Sequence, residues 1–250
     1  MKNKVVIITG ASSGIGKACA SEFFKRGSRL VLVARTESKL IELTNSIKNL
    51  GGEAIYVVAD VSNESDCVNM IKKVIDSYGV IDILVNNAGI SMRALFLDLE
   101  LADFKKVMSI NFYGTIYSTK YALKYILKSQ GSIVGISSIA GHKGLPARTA
   151  YSASKFAMVG FLEALRIENL KKGLHVLIAS PGFTASNIRE NALNSSGEHQ
   201  QESPRNEKSM MTSEEVARKI VVAIQQRKNS IVMTTQGKLL VFLNKFLPNI

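Results

Sequence analysis

The feature that most constrains this chain is an alternation. Short apolar runs recur along almost its whole length, and each is followed by a longer stretch with helical spacing. The runs fall at residues 5–9, 30–34, 54–59, 83–86, 132–136, 175–179 and 230–234. Most are continuously apolar, as strands must be when helices cover both faces of their sheet. The stretches between them reach the dozen or so residues that a crossover between parallel strands requires. A doubly wound α/β sheet follows, mainly parallel and seven-stranded, with the expected order 3-2-1-4-5-6-7. Nothing interrupts the alternation before Pro181, so residues 1–250 read as a single domain. Apolar residues make up 46% of the chain and supply its core, while 21% charged residues is too few for disorder. Residues 194–209 are polar and poor in large apolar groups, which predicts a mobile substrate loop over residues 183–212.

Charge and cysteine content narrow the function classes. A net charge of +12 could serve nucleic acid, an anionic membrane or an acidic cofactor. The excess is spread over several segments, and residues 51–100 carry three basic against eight acidic side chains. No arginine-rich run or basic stripe interleaved with aromatics occurs, so no nucleic-acid partner is expected. The only cysteines, Cys19 and Cys67, exclude a disulfide scaffold and favour reduced thiols packed in helices. The apolar start at Val5-Val6-Ile7-Ile8 is too short for a signal segment, and the expectation is a cytoplasmic protein. His142, His175 and His199 lack metal-ligand spacing with one another or with the cysteines, so no metal is expected.

Directly after the first apolar run comes Thr9-Gly10-Ala11-Ser12-Ser13-Gly14-Ile15-Gly16, and a helical pattern begins near Gly14. Glycines let a backbone turn sharply and approach a pyrophosphate, to which a helix start offers unpaired N–H groups and a positive dipole end. Three spaced glycines alone would also suit an ordinary strand-to-helix turn. Further motifs follow in order: Asn86-Asn87-Ala88-Gly89 at the fourth strand end, Asn111 in the next helical stretch, and Ser137-Ser138 at the fifth strand end. Tyr151-Ser152-Ala153-Ser154-Lys155 and Pro181-Gly182 complete the series.

This ordered set resembles the short-chain dehydrogenase/reductase family over roughly residues 2–190. The resemblance implies a Rossmann-fold oxidoreductase with Asn111, Ser138, Tyr151 and Lys155 as catalytic residues. Tyrosine is a poor acid-base group at neutral pH, and Lys155 lies four residues on, on the same helical face, where an ammonium favours phenolate. By resemblance Lys155 also bonds the nicotinamide ribose, Ser138 holds the substrate oxygen and Asn111 continues a proton relay. Cofactor contacts are implied at Gly10, Ser12, Ser13, Gly14, Ile15 and Gly16, at Asp60 and Val61, at Asn87, Ala88 and Gly89, and at Tyr151, Lys155, Pro181 and Gly182. The family's threonine five residues beyond the proline is Ser186 here, with Thr184 as the competing position. The second strand ends in Ala34-Arg35, which cannot take a ribose diol, whereas a guanidinium suits a 2′-phosphate. The expected cofactor is therefore NADP(H), with Arg35 acting nearly alone.

Met92, Leu95, Phe96, Leu145, Phe183 and Ile188 fall near the expected pocket and favour a hydrophobic ketone or alcohol over a sugar. Residues 86–96 resemble the branch containing hydroxysteroid dehydrogenases and ketosphinganine reductases, with a 3-oxoacyl thioester as competitor. A non-catalytic NADP-binding regulator is the alternative of another class. Tyr117, Tyr121 and Tyr125 recur beside Lys120, Lys124 and Lys128, a buried edge with a solvated face on one helix. The family pairs this helix and the next across a two-fold axis, implying a homodimer or homotetramer. In the apolar segment 238–250, Leu239, Phe242, Phe246 and Ile250 recur at helical spacing. It is too short to span a bilayer, which leaves burial in the subunit, burial against a partner, or weak peripheral membrane contact.

Overall fold

The computed structural model describes residues 1–184, 188, 192–198, 200 and 210–247. Strands β1 (Val5–Thr9), β2 (Arg29–Ala34), β3 (Ala54–Val58), β4 (Ile83–Asn86), β5 (Ser132–Ile136), β6 (His175–Ser180) and β7 (Ser230–Val232) form one sheet. Their order is β3-β2-β1-β4-β5-β6-β7, and every pairing is parallel. This is the expected Rossmann-like sheet, and its strand bounds differ from the apolar runs by one or two residues at most. The connecting helices are α1 (Gly14–Phe24), α2 (Glu37–Asn49), α3 (Glu64–Tyr78), α4 (Leu101–Met108), α5 (Gly114–Lys128), α6 (Thr149–Glu168) and α7 (Ser213–Gln225). A last helix, α8 (Thr235–Phe246), follows β7.

Period-two alternation of the strands divides the core into two layers. Val6 and Ile8 of β1, with Leu30 and Leu32 of β2, face Phe23 of α1 and Val216 and Ile220 of α7. Ile7, Val31 and Val33 face the other side, where Met70 of α3, Ile126 of α5 and Leu162 of α6 cover them. Both cysteines are fully buried, and burial pushes the Cys19 thiol up to about 12, so these thiols pack as small apolar groups. On α5 the tyrosine edge is half-buried while Lys120, Lys124 and Lys128 face solvent, as the stripe predicts.

Helix α8 rests on the turn after β5: Thr234 caps its start, and Asn244 Nδ2 donates to the His142 carbonyl at 2.8 Å. Its outer face carries Leu239, Phe242 and Phe246 exposed, so these side chains are not buried in the subunit; residues 248–250 lie outside the described residues. Among the described residues no helix is long and apolar enough to cross a membrane. The expected loop over 183–212 falls largely on residues outside the described set.

At the start of β6, His175 is buried between two strand ends. Its Nε2 lies 2.9 Å from the Lys228 carbonyl, which can only accept, so this nitrogen carries the hydrogen. Nδ1 then accepts from Ser132 Oγ at 2.9 Å. Burial, joined by the nearby Arg227 charge, lowers the imidazole pKa below its ordinary value. The folded chain therefore keeps His175 neutral at a pH where the unfolded chain takes up a proton. Stability is retained above about pH 6.5 and falls as the pH drops below it. Urea unfolding at pH 7 and pH 5 should show a loss of stability in the native chain that is smaller in His175→Gln, which has no proton to gain.

Candidate active site

The ends of β1 and β4 are clasped by two side chains. Thr9 Oγ1 accepts from the backbone N–H groups of Asn87 and Ala88, both at 3.0 Å. Asn87 Nδ2 donates in return to the carbonyls of Thr9 at 2.9 Å and Gly10 at 3.2 Å. Glycine is required twice in the loop that follows. Gly10 sits at φ +66°, and a Cβ at Gly16 would stand 2.1 Å from the Gly10 carbonyl oxygen. The turn therefore folds tightly onto the β4 end and leaves the first N–H groups of α1, which lack intrahelical partners, at the floor of a cavity of about 350 Å³.

Gly10, Ser12, Ser13, Gly14 and Ile15 line that cavity, with Asp60, Val61, Asn87, Ala88 and Gly89. Arg35 lies at its outer end, where Nη1 stands 3.8 Å from Asp60 Oδ2 in an exposed pair. Lys39 joins it on the same wall. The sequence expectation named Arg35 nearly alone; Lys39, in the first turn of α2, is a second cation that it missed.

A second cavity of about 150 Å³ opens beside the first, and Ile15, Asn87, Gly89 and Ile188 line both. Ser137, Ser138, Tyr151, Lys155, Pro181, Gly182 and Thr184 line this one. Tyr151 and Lys155 share a face of α6, and Lys155 Nζ lies 5.8 Å from the Tyr151 ring centroid. The ammonium is buried and donates to the Ile136 carbonyl at the β5 end at 2.8 Å. Desolvation lowers its pKa to about 8, so it remains mostly protonated at neutral pH but releases its proton far more easily than a surface lysine.

Asn111 lies in a wide helical turn, Ser109–Tyr113, inserted between α4 and α5. Its side chain is fully buried. Oδ1 accepts from Ile90 N at 2.8 Å, and Nδ2 donates to the Ile90 carbonyl at 2.9 Å and to Ser154 Oγ at 3.0 Å. Every bond of the amide thus positions the backbone after β4 and the first turns of α6.

The two serines at the end of β5 bond backbone groups on either side. Ser138 Oγ accepts from Ala140 N at 3.2 Å and caps the short turn Ile139–Gly141, while Ser137 Oγ reaches the Lys155 carbonyl at 3.4 Å. Both line the cavity. Thr184 Oγ1 donates to the Gly182 carbonyl at 3.2 Å, and Ser186 lies outside the described residues.

Of the six expected pocket residues, Leu145, Phe183 and Ile188 line the second cavity. Met92 does not: it is fully buried with Leu99, Val107 and Leu193 in a separate small core. Leu95 and Phe96 stand on the outer surface, because the chain after Ala94 turns away from the cleft into a short surface turn. Missed altogether were Ser91 and Arg148, which line the cavity and hydrogen-bond each other. Among the described residues, no cluster of three or more His, Cys, Asp or Glu could hold a metal, and His199 lies outside them.

Comparison with known proteins agrees with this layout. A family model described as short chain dehydrogenase matches residues 4–196. A Danio rerio protein named dehydrogenase/reductase SDR family member 7B is 35% identical over 244 residues, covering 95% of this chain and 79% of the relative. An Arabidopsis thaliana protein named 11-beta-hydroxysteroid dehydrogenase-like 2 is 42% identical over 187 residues, 74% of this chain and 60% of that one. Among solved structures, a short-chain dehydrogenase/reductase from Burkholderia phymatum in complex with NAD superposes with a TM-score of 0.88. It is 23% identical, with 98% of this chain and 94% of that chain covered.

Proposed function

Because the chain belongs to the short-chain dehydrogenase/reductase family, we propose that it is an NADP(H)-dependent oxidoreductase interconverting a ketone and a secondary alcohol on a hydrophobic, lipid- or steroid-like substrate. The observation that carries this reading is the pairing of Tyr151 and Lys155 in the second cavity, with Lys155 Nζ beside Gly89, which lines both cavities. A dinucleotide fits the larger cavity: the turn is tight enough that neither Gly10 nor Gly16 has room for a Cβ, and the start of α1 offers its N–H groups to a diphosphate. When bound, the nicotinamide supplies or accepts the hydride.

The chain's own groups would handle the proton. In the reductive direction the Tyr151 hydroxyl gives its proton to the carbonyl oxygen, and the adjacent Lys155 ammonium stabilises the phenolate left behind. A buried ammonium is an effective partner because little water screens it. Ser138 stands on the same wall, where its hydroxyl can hold the substrate oxygen while Oγ keeps its bond from Ala140 N. Apolar side chains of Leu145, Phe183 and Ile188 favour a hydrophobic body on the substrate. At the far end, Arg35 and Lys39 give two cations to a 2′-phosphate, in competition with the Arg35–Asp60 pair.

Tyr151→Phe should lower kcat about 100-fold or more while leaving NADPH affinity within a few-fold, since the phenol acts mainly in the transition state. Substantial residual turnover would contradict the assignment of the proton donor. Titration of both cofactors tests the far end. Arg35→Ala should weaken NADPH binding about tenfold or more and leave NADH nearly unaffected, because a charge-assisted contact contributes about 1.5–3 kcal/mol. A native preference for NADH would overturn the choice of NADP(H).

A further inference from the structure

Helix α5 begins with a glycine that its backbone conformation does not require. Gly114 has an ordinary helical φ of −58° and is buried, and glycine within a helix is less favourable than alanine. The reason for it lies in what it faces. A Cβ at Gly114 would stand 2.7 Å from Val61 Cγ2, 3.0 Å from Val61 Cβ and 3.2 Å from the Val61 carbonyl oxygen. Val61 follows Asp60 in the loop after β3 and lines the larger cavity, as does Ile110 in the wide turn before α5. Both partners are fixed. On the helix side the Asn111 amide is bonded to Ile90 and Ser154, and Thr115 Oγ1 donates to the Asn111 carbonyl at 3.0 Å, which holds the start of α5 in place. On the loop side Asp60 N donates to Asp66 Oδ2 at 2.9 Å, Asn63 N donates to the Asp60 carbonyl at 2.9 Å, and Cys67 Sγ donates to the Val61 carbonyl at 3.5 Å. The Val61 side chain is β-branched, stiff and packed into the core layer. The open space beside it is the cavity.

We propose that Gly114 is a positioning residue for the dinucleotide: by carrying no side chain it lets α5 close on Val61, and so it sets the width of the larger cavity. This rests on the cofactor reading given above and deepens it. A methyl group at position 114 has to be accommodated by Val61, because a close-packed interior transmits a displacement rather than absorbing it. Val61 then moves into the space that the dinucleotide occupies. A glycine needed only for folding would change stability and leave the cofactor affinity of the folded chain where it was.

The test is calorimetric titration of the full chain with NADPH, and with NADH in parallel, in the native protein, Gly114→Ala, Val61→Ala and the double variant. A native chain that binds neither would bring down the cofactor reading itself, and this proposal with it. For whichever cofactor binds more tightly, Gly114→Ala should weaken binding about tenfold or more, the effect of overpacking a rigid wall. Unchanged affinity in folded Gly114→Ala would overturn this proposal alone. The sign of the second substitution is the sharper readout, because two residues in contact do not act additively. In the native background Val61→Ala removes a wall contact and should weaken binding. In the Gly114→Ala background the same change removes the nearest clashing atom and should tighten binding about threefold or more. Weakening in both backgrounds would contradict the proposal. Should Gly114→Ala alone fail to fold, the double variant should regain both the fold and cofactor binding, and a double variant as unfolded as the single one would equally overturn it.

Discussion

Everything at the site depends on the reciprocal clasp between Thr9 and Asn87. It joins the ends of β1 and β4, the neighbours at which the strand order reverses, where open parallel sheets form their crevice. One hydroxyl accepts from two backbone N–H groups and one amide donates to two carbonyls, so four buried or half-buried backbone groups are satisfied without a helix or a ladder. The clasp brings Gly10 against the β4 end so closely that a Cβ there would meet Ala88 Cα at 2.9 Å. Tightness of that order is what lets a backbone lie under a diphosphate.

The same economy of polar groups shapes the second cavity. Asn111, Ser154 and Ile90 form a closed set of hydrogen bonds behind α6, and that set orients the face carrying Tyr151 and Lys155. Ser154 also donates to the Tyr151 carbonyl at 2.8 Å, which ties the tyrosine's own backbone into it. Lys155 reaches the β5 end across the cavity wall, and Gly89 leaves it room: a Cβ there would lie 3.1 Å from Asn111 Oδ1 and 3.6 Å from Lys155 Nζ. The buried lysine is thus held by geometry, and its lowered pKa follows from that burial.

The sheet was legible because its signals are local and repeated. Continuous apolar runs separated by helix-length stretches leave few arrangements for seven strands, and the glycine spacing identifies the first turn. Roles that depend on which neighbour arrives from elsewhere in the chain were not legible. Asn111 bonds Ile90 and Ser154 because tertiary packing brought those partners close. Met92 reads as a pocket residue by its position along the chain, yet Leu193 and Val107 close over it. Lys39 and Arg148 look like ordinary surface cations in sequence, and only the cavity walls show what they face.

The central claim is that the two adjoining cavities form one cleft for a dinucleotide and a carbonyl substrate, with Tyr151 and Lys155 on the substrate side. A crystal structure of the NADPH complex tests it most directly. The account predicts the diphosphate on the N–H groups at the start of α1, the 2′-phosphate beside Arg35 and Lys39, and the nicotinamide between Tyr151 and the Pro181-Gly182 corner. A cofactor whose nicotinamide lies away from the second cavity, with Tyr151 and Lys155 out of its reach, would contradict it.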